Sequence, residues 1–374
     1  MPKKQSLHIL AFNIPYPANY GGVIDVFYKI VALKKMGLEI HLHCFEYGRK
    51  HNDILNKFCK TVHYYKRKTG ITNAFSATPY FVQSRFDLSL ADYLISHPFP
   101  ILCEGIHCSK NVLIPQLKNR KKYLRSHNIE TDYYRELARK EPNFLKKIYF
   151  YSEHIKLKKY EKKAAIFDGI FSISKQDHDF FNSMSKSTHI KAFHSNQEVV
   201  SKQGRGNFAL YHANLSIPEN INAALFLINK VFAFTDYPLQ IAGKNVCKSI
   251  VDATQTHAHI SIVNNPSEQQ MINLISDAHM TLLPTFQNTG IKLKLIESLF
   301  KGRFCVANHH MIENTELEAY CHLANTPQEW LNSIDMLKNK SFDSIELKKR
   351  MQIKSVFNNE NEAQKIVDVI YQEI

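Results

Sequence analysis

A chain of 374 residues, 44% hydrophobic and 22% charged, has the make-up of a folded protein and the length of two ordinary α/β domains rather than one. Its formal net charge of +14 draws it to something anionic, whether nucleic acid, acidic lipid or a phosphorylated small molecule, and without a helix-turn-helix, zinc-finger or aromatic ribonucleoprotein signature nucleic acid comes last. No apolar run approaches the ~20 residues of a membrane-spanning helix and no signal-peptide pattern opens the chain, while seven scattered cysteines suit buried thiols in a reducing cytoplasm.

Residues 7–14 read as a buried strand, followed by a turn holding Pro15, Pro17, Gly21 and Gly22. A helix over 23–36 follows on Val26, Phe27, Ile30, Val31 and Leu33, with Gly37 as its stop, and then a strand over 38–45. This is a βαβ unit with a glycine-containing first turn, the opening of a doubly wound sheet. Further strands are expected at 61–65, 100–104 and 122–126. Cys103 and Cys108, with His107 between them, lack a second pair at zinc-like spacing, so no metal site is expected. Pro142 separates two helical stretches, the second with Phe144, Ile148, Tyr151 and Ile155 in steps of four, three and four, before a strand at 169–174.

The polar stretch 191–207, with His194, Ser195, Asn196, Gly204 and Gly206, is the expected interdomain linker. A second series then repeats the first: strand 208–212, helix 220–232, strand 238–242 ended by Gly243, and strand 260–263. A helix at 267–278 opens with a capping-box pair, Ser267 and Gln270, and strand 280–283 follows.

The segment 284–302 is the most informative. A strand ends at Pro284, a loop runs to Gly290, and a helix spans about 291–301 before Gly302. A helix that starts just after a glycine presents unpaired N–H groups, and Lys292 and Lys294 add two charges in its first turn, which together make a site for a diphosphate. Two solvated surface lysines are the plain alternative. Glu297, about 10 Å further along the same face, is placed to accept both hydroxyls of a ribose; an ordinary surface ion pair with Lys294 is the other reading.

This stretch resembles the donor-binding signature of the retaining glycosyltransferases of family 4: a glutamate, seven residues, a second glutamate, a small-residue helix end and an apolar strand, here 302–307. Glu297 matches the second glutamate, which implies a hold on the donor ribose, and Thr289 stands where the first would be. Residues 15–22 resemble the family's N-terminal glycine-rich loop, which implies that Gly21 and Gly22 face the donor phosphate and the acceptor. Residues 125–130 resemble the loop whose histidine reaches the transferred sugar, which nominates His127. Residues 171–177 resemble the last strand of the first domain. Residues 211–220 resemble the second domain's first strand and loop, where Asn214 and Asn220 occupy the places of an arginine and a lysine on the diphosphate. Lys244, Gly290 and Ile291 complete the substrate-binding set, and His127 and Thr289 are the catalytic pair.

The resemblance implies an α/β fold of the GT-B class, two Rossmann-like doubly wound domains facing each other across a cleft. The first, 1–195, is the acceptor side; the second, 196–374, binds the nucleotide sugar, with the last helix able to return to the first. It implies transfer of a hexose-type sugar from a nucleoside-diphosphate sugar to a hydroxyl of a glycan or lipid-linked glycan, with retention, without a metal and without a cofactor. Basic runs at 118–125 and 146–163, the second interleaved with Tyr149, Phe150, Tyr151 and Tyr160, offer a face for an anionic lipid surface, or else a solvated helix face. The expected location is the cytoplasm, peripheral at the inner membrane face. The alternative of another class is a catalytically silent sugar-nucleotide-binding protein or a transferase partner subunit, motivated by Thr289; a nucleotide-sugar epimerase is a third.

Overall fold

In a computed structural model, which describes residues 5–286 and 293–371, the first apolar run forms β1 (Ser6–Ala11), buried along its whole length. With β2 (Glu39–Glu46), β3 (Thr61–Lys66), β4 (Ile101–Glu104), β5 (Lys122–Ser126), β6 (Gly169–Ser172) and β7 (Ser187–His189) it makes a parallel seven-stranded sheet in the order β3-β2-β1-β4-β5-β6-β7. β1, β4, β5 and β6 are buried along their whole length and β2 in all but its end residues, as in a parallel sheet covered on both faces. The predicted first strand reached residue 14, but the chain leaves the ladder after Ala11, and Asn13 Oδ1 accepts the Ile14 N–H. Nor is β6 the last strand: three-residue β7 lies at the sheet edge, too short to show in the hydrophobic pattern.

α1 (Gly21–Lys35) ends in a Schellman motif, with Gly37 at φ +89° and the Leu38 and Gly37 N–H groups donated to the carbonyls of Leu33 and Lys34. It is followed by α2 (Tyr80–Gln83), α3 (Leu88–Ser96), α4 (Glu130–Lys140), α5 (Phe144–Tyr160) and α6 (Lys175–Asn182). The C-terminal helix Asn359–Tyr371 belongs to this unit. Ile366 and Ile370 join the core of Leu7, Ile9, Phe27 and Ile30, and Tyr371 donates its hydroxyl to the Ser6 carbonyl at 2.9 Å. The unit comprises residues 5–195 and 358–371. The polar stretch expected as a linker begins inside it, since Ala192 and Phe193 are buried. The basic run 118–125 is only partly a surface face: Lys118 and Lys121 are exposed, but Arg125 is buried, and the Lys122 ammonium donates to the carbonyls of Leu117, Lys118 and Arg120.

The second unit holds residues 196–286 and 293–357. Its six parallel strands are β8 (Ala209–Asn214), β9 (Leu239–Lys244), β10 (Ile260–Asn264), β11 (Met280–Leu283), β12 (Phe304–Ala307) and β13 (His322–Leu323), in the order β10-β9-β8-β11-β12-β13. Its helices are α7 (Pro218–Phe226), α8 (Lys248–Thr254), α9 (Glu268–Asp277), α10 (Leu293–Lys301), α11 (His309–Ile312), α12 (Pro327–Leu337), α13 (Ser344–Met351) and α14 (Ile353–Val356). α7 runs on as a π turn over Leu227–Val231. The expected capping box is present: Ser267 Oγ accepts the Gln270 N–H, and Gln270 Oε1 accepts that of Ser267. Gly243 does not end its strand, as expected, but lies inside β9, where a Cβ would sit 1.8 Å from the Ala213 carbonyl oxygen of β8. Glycine here marks close backbone approach rather than a turn.

Each unit is thus a doubly wound Rossmann-like sheet whose strand order reverses once, between β1 and β4 in the first and between β8 and β11 in the second. Ligands of such sheets bind at the carboxyl ends of the strands beside that reversal.

Candidate functional site

At the reversal in the first unit, α1 starts directly after the β1 turn. Tyr20 at its N-cap makes no side-chain cap, and the first turn carries no acid, which leaves the helix N-terminus open to an anion. A Cβ on Gly22 would come within 2.8 Å of Phe12 Cζ, so a larger residue there would need the Phe12 ring to move aside.

Behind this turn lies a cluster of charges without exposed side-chain surface: Asp25 and Lys29 on α1, Glu104 at the end of β4 and Arg125 on β5. Asp25 accepts from Arg125 Nη2 at 2.8 Å, Arg125 Nε at 3.1 Å, Lys29 Nζ at 2.9 Å and the Phe193 N–H at 2.9 Å. Lys29 also donates to Glu104 at 2.9 Å. Burial alone would raise both carboxyls; Arg125 and Lys29 hold Asp25 below its ordinary range, and Lys29 does the same for Glu104. Asp25, Glu104 and His127 offer ligand atoms within 4.8 Å of one another. Two cations already neutralise the two carboxylates, however, so a metal ion there would face Lys29 and Arg125, and the group does not fit one.

His127 follows β5, nearly buried, with Nε2 3.1 Å from Glu104 Oε2 and its ring edge-on to Phe12. A carboxylate only accepts, so Nε2 carries the proton, and in the neutral ring Nδ1 is left as an acceptor. Nδ1 is buried and has no hydrogen-bond partner among the described residues. Three more carboxyls lie in the same part of the unit. Glu130 opens α4 and is pushed up to about 8 by burial and by the charges of Glu161 and Asp177. Burial raises Glu161, which accepts the Glu130 N–H at 2.8 Å, to about 7, and Asp177 to about 6.

At the reversal in the second unit, β8 ends at Asn214, whose Oδ1 accepts the Ser216 N–H at 3.2 Å and the Ser216 hydroxyl at 2.8 Å. Asn220 on α7 donates Nδ2 to the Asn214 carbonyl at 2.9 Å and accepts from Lys294 Nζ of α10 at 3.3 Å. The Lys294 ammonium lies 5.6 Å from the centroid of the buried Tyr211 ring. Asn214, Asn220 and Lys294 are therefore brought together where β8, α7 and α10 meet. Beside them, Asn308 brackets Thr285, accepting its N–H at 3.0 Å and donating to its carbonyl at 2.6 Å, and the Thr285 hydroxyl donates to Glu219.

Glu297 sits on α10, paired with Lys301 at 2.8 Å, and the next residue, Ser298, meets His212 Nε2 at 2.9 Å. Lys244 ends β9 and is exposed. Thr289, Gly290, Ile291 and Lys292 lie outside the described residues. Sequence reasoning missed Asp25, Lys29, Glu104, Glu219, Thr285 and Asn308. A signal existed for Glu104, a charge at the end of an apolar strand run that fills a core and must be paired.

The two doubly wound sheets define the GT-B class, which solved structures of glycosyltransferases share. A crystal structure of TarM matches with a TM-score of 0.71 at 11% identity, covering 99% of each chain. A variant of S. aureus TarM in complex with fondaparinux, alpha-GlcNAc-glycerol and UDP matches at 0.67 and 11% identity, over 98% of this chain and 100% of that one. A glycosyltransferase from Rickettsia africae matches at 0.64 and 12% identity, over 99% and 98%. Among curated sequences, an uncharacterised 44.6 kDa protein in the cps region of Klebsiella pneumoniae is 27% identical over 331 residues, 82% of this chain and 84% of that one. No family model matches.

Proposed function

We propose that this protein is a retaining glycosyltransferase of the family 4 kind, moving a hexose-type sugar from a nucleoside-diphosphate sugar to a hydroxyl of a glycan or lipid-linked glycan. The observation that carries the reading is Lys294, held 3.3 Å from Asn220 at the strand-order reversal of the second unit, where a doubly wound sheet takes its ligand. In this reading the second unit holds the donor. Lys292 and Lys294 meet the diphosphate charge, Asn214 and Asn220 shape the turn beside it, Lys244 and the 289–291 segment contribute contacts, and Glu297 takes the ribose hydroxyls. The likeness to TarM, whose variant was crystallised with UDP and alpha-GlcNAc-glycerol, and the relative in a cps region lend support.

The first unit then supplies the open N-terminus of α1 at Gly21 and Gly22, and His127 through its unpartnered Nδ1. The bond from the anomeric carbon to the β-phosphate oxygen breaks with its electron pair going to the phosphate. The acceptor oxygen bonds to the anomeric carbon on the same face, and its proton passes to the leaving diphosphate. Stabilising that leaving group is the main task, which lysines and helix N-termini perform without a resident metal or cofactor. A threonine at 289 can hydrogen-bond the sugar but not act as a carboxylate, and this route asks for no carboxylate nucleophile. The proposed location is the cytoplasm.

A thermal-shift panel of nucleotide sugars tests the reading, since the right donor at ~100 times its Kd adds about 2.7 kcal/mol. Hits are then offered glycan acceptors, with release of nucleoside diphosphate and the anomeric configuration of the product as readouts. A donor that binds yet releases nothing with any acceptor points to the silent binder, an inverted product removes retention, and no binding by any nucleotide sugar sinks the reading.

A further inference from the structure

α5 carries the apolar stripe Phe144, Ile148, Tyr151 and Ile155, which the logic of amphipathic helices would turn inward. Instead all four are exposed, Phe144 at 73%, and Leu145 beside them is 76% exposed. The face that α5 buries is the other one, Glu153, Leu157 and Tyr160. Tyr160 meets Ser109 Oγ at 3.0 Å, and Glu153 accepts the Tyr80 N–H at 2.6 Å. The aromatic residues expected on the surface therefore divide: Tyr160 belongs to the core and Tyr151 to solvent. Lys156 anchors the neighbouring loop through the Ala74 carbonyl at 2.6 Å, and Phe75, next to that anchor, is 86% exposed.

The exposed charges of α5 have one sign. Lys146, Lys147, Lys158 and Lys159 are exposed on α5, and the helix's single acid, Glu153, is buried and paired with Lys156 at 2.9 Å. On the adjoining α4, Asp132 and Glu136 are paired with Arg135 and Arg139. The exposed side of a helix about 25 Å long is thus apolar and cationic, with no counter-charge of its own.

We propose that α5 lies flat on an anionic lipid bilayer, with the Phe144–Ile148–Tyr151–Ile155 stripe and Leu145 at the boundary between headgroups and acyl chains and Lys147, Lys158 and Lys159, which flank the stripe, against the headgroup phosphates. Aliphatic and aromatic side chains flanked by long lysines suit that boundary, because the ammonium groups reach the phosphates while the stems stay with the apolar face. A second copy of this chain is a poorer occupant: pairing two such faces would set six lysines against each other with no acid of α5 between them. The proposal stands independently of sugar transfer.

The test is co-sedimentation of the full chain with vesicles of phosphatidylcholine alone or with added phosphatidylglycerol. Binding is expected only with the acidic lipid, falling as salt rises. Leu145→Glu with Ile148→Glu should weaken partitioning by about a hundredfold, and Lys147→Ala with Lys158→Ala by about tenfold, at an unchanged Tm. Three results would overturn it: no binding to acidic vesicles at low salt, wild-type binding by the Leu145→Glu/Ile148→Glu protein, or a lipid-independent dimer in sedimentation velocity that the same variant dissolves.

Discussion

Asp25 and Arg125, 100 positions apart, meet as a two-point ion pair, Nη2 to Oδ1 at 2.8 Å and Nε to Oδ2 at 3.1 Å, with no exposed surface on either side chain. The pair ties α1 to β5, and the Phe193 N–H on the same carboxylate ties the end of the first unit to both.

Removing Asp25 leaves Arg125 buried without its carboxylate and Lys29 with only Glu104. Asp25→Ala should therefore cost about 3–5 kcal/mol and lower the Tm of the first unit by roughly 10 °C. Adding Arg125→Met removes the stranded charge and should restore part of the loss. Calorimetry of both proteins checks this, and a double variant less stable than Asp25→Ala would show that the pair is not the source of the effect.

Glu104 fixes which nitrogen of His127 carries the proton, so the two side chains should separate kinetically. His127→Ala removes the group that faces the sugar in the proposed reaction and should lower kcat by ~10²-fold or more. Glu104→Gln keeps the shape but no longer favours a proton on Nε2, and is expected to lower kcat by ~10-fold at a nearly unchanged donor KM. Tm is measured alongside, because Lys29 loses a carboxylate. Equal loss of donor affinity in both variants would assign the dyad to binding instead.

The fold was legible because its signals are local. Apolar runs of strand length, a helix ending at Gly37 and the Ser267–Gln270 capping box all declare themselves within a few residues. Signals that depend on distant partners were not. Gly243 is required by the Ala213 carbonyl of another strand, and the Asp25–Lys29 spacing reads equally well as a solvated surface pair until Arg125 and Glu104 arrive from β5 and β4. The same limit hid the outward turn of the α5 stripe, where periodicity fixes which residues share a face but not which way the face points. In the candidate site, Asn214, Asn220 and Lys294 came from the resemblance; their contact is three-dimensional.

Lys294 and Glu297 share α10 but should fail differently. Lys294→Ala is expected to raise the donor Kd about tenfold, and that of inorganic pyrophosphate by a similar factor, as the loss of one charge-assisted contact worth ~1.4 kcal/mol. Glu297→Ala should weaken the nucleotide sugar while leaving pyrophosphate unaffected. Its pair with Lys301 is partly exposed and worth only about 0.3–0.5 kcal/mol, so Tm should hardly move. Calorimetric titration separates the two, and pyrophosphate binding unchanged in Lys294→Ala would remove the lysine from the phosphate site.

Acid should destabilise the first unit through its buried histidines. His8 Nδ1 and His43 Nε2 are 3.1 Å apart, a contact that needs at least one bare nitrogen. Burial lowers His8 to about 3, against a carbonyl bond to His97 and with the charges of His41, Arg120 and His97; burial likewise holds His43 well below its ordinary value, beside His8, His63, His41 and His97. The unfolded chain thus takes up protons below about pH 6.5 that the folded one refuses, and stability falls as pH drops from there toward 3. Urea midpoints of wild type and His8→Gln isolate this contribution: the variant should gain on wild type as pH falls from 6.5 to 4, and the same pH dependence in both would contradict the burial of this cluster.

The carboxyls near His127 work in the opposite sense. Burial raises Glu130 to about 8, Glu161 to about 7 and Asp177 to about 6. Their neutral forms favour the fold, a contribution present in full below about pH 4.5 and lost as pH rises through 6 to 8. Between about pH 4.5 and 6.5 the two sets oppose each other, and above pH 6.5 only the carboxyls act, so their contribution declines from there toward pH 8. Glu130→Gln keeps the side chain neutral at every pH, so it should leave the urea midpoint unchanged at pH 5 and gain roughly 2–4 kcal/mol over wild type at pH 9. The sign is what discriminates: if Glu130 were ionised and held by Arg85 at neutral pH, the amide would destabilise the protein at pH 9, because the charge it removes would be one the fold had paired.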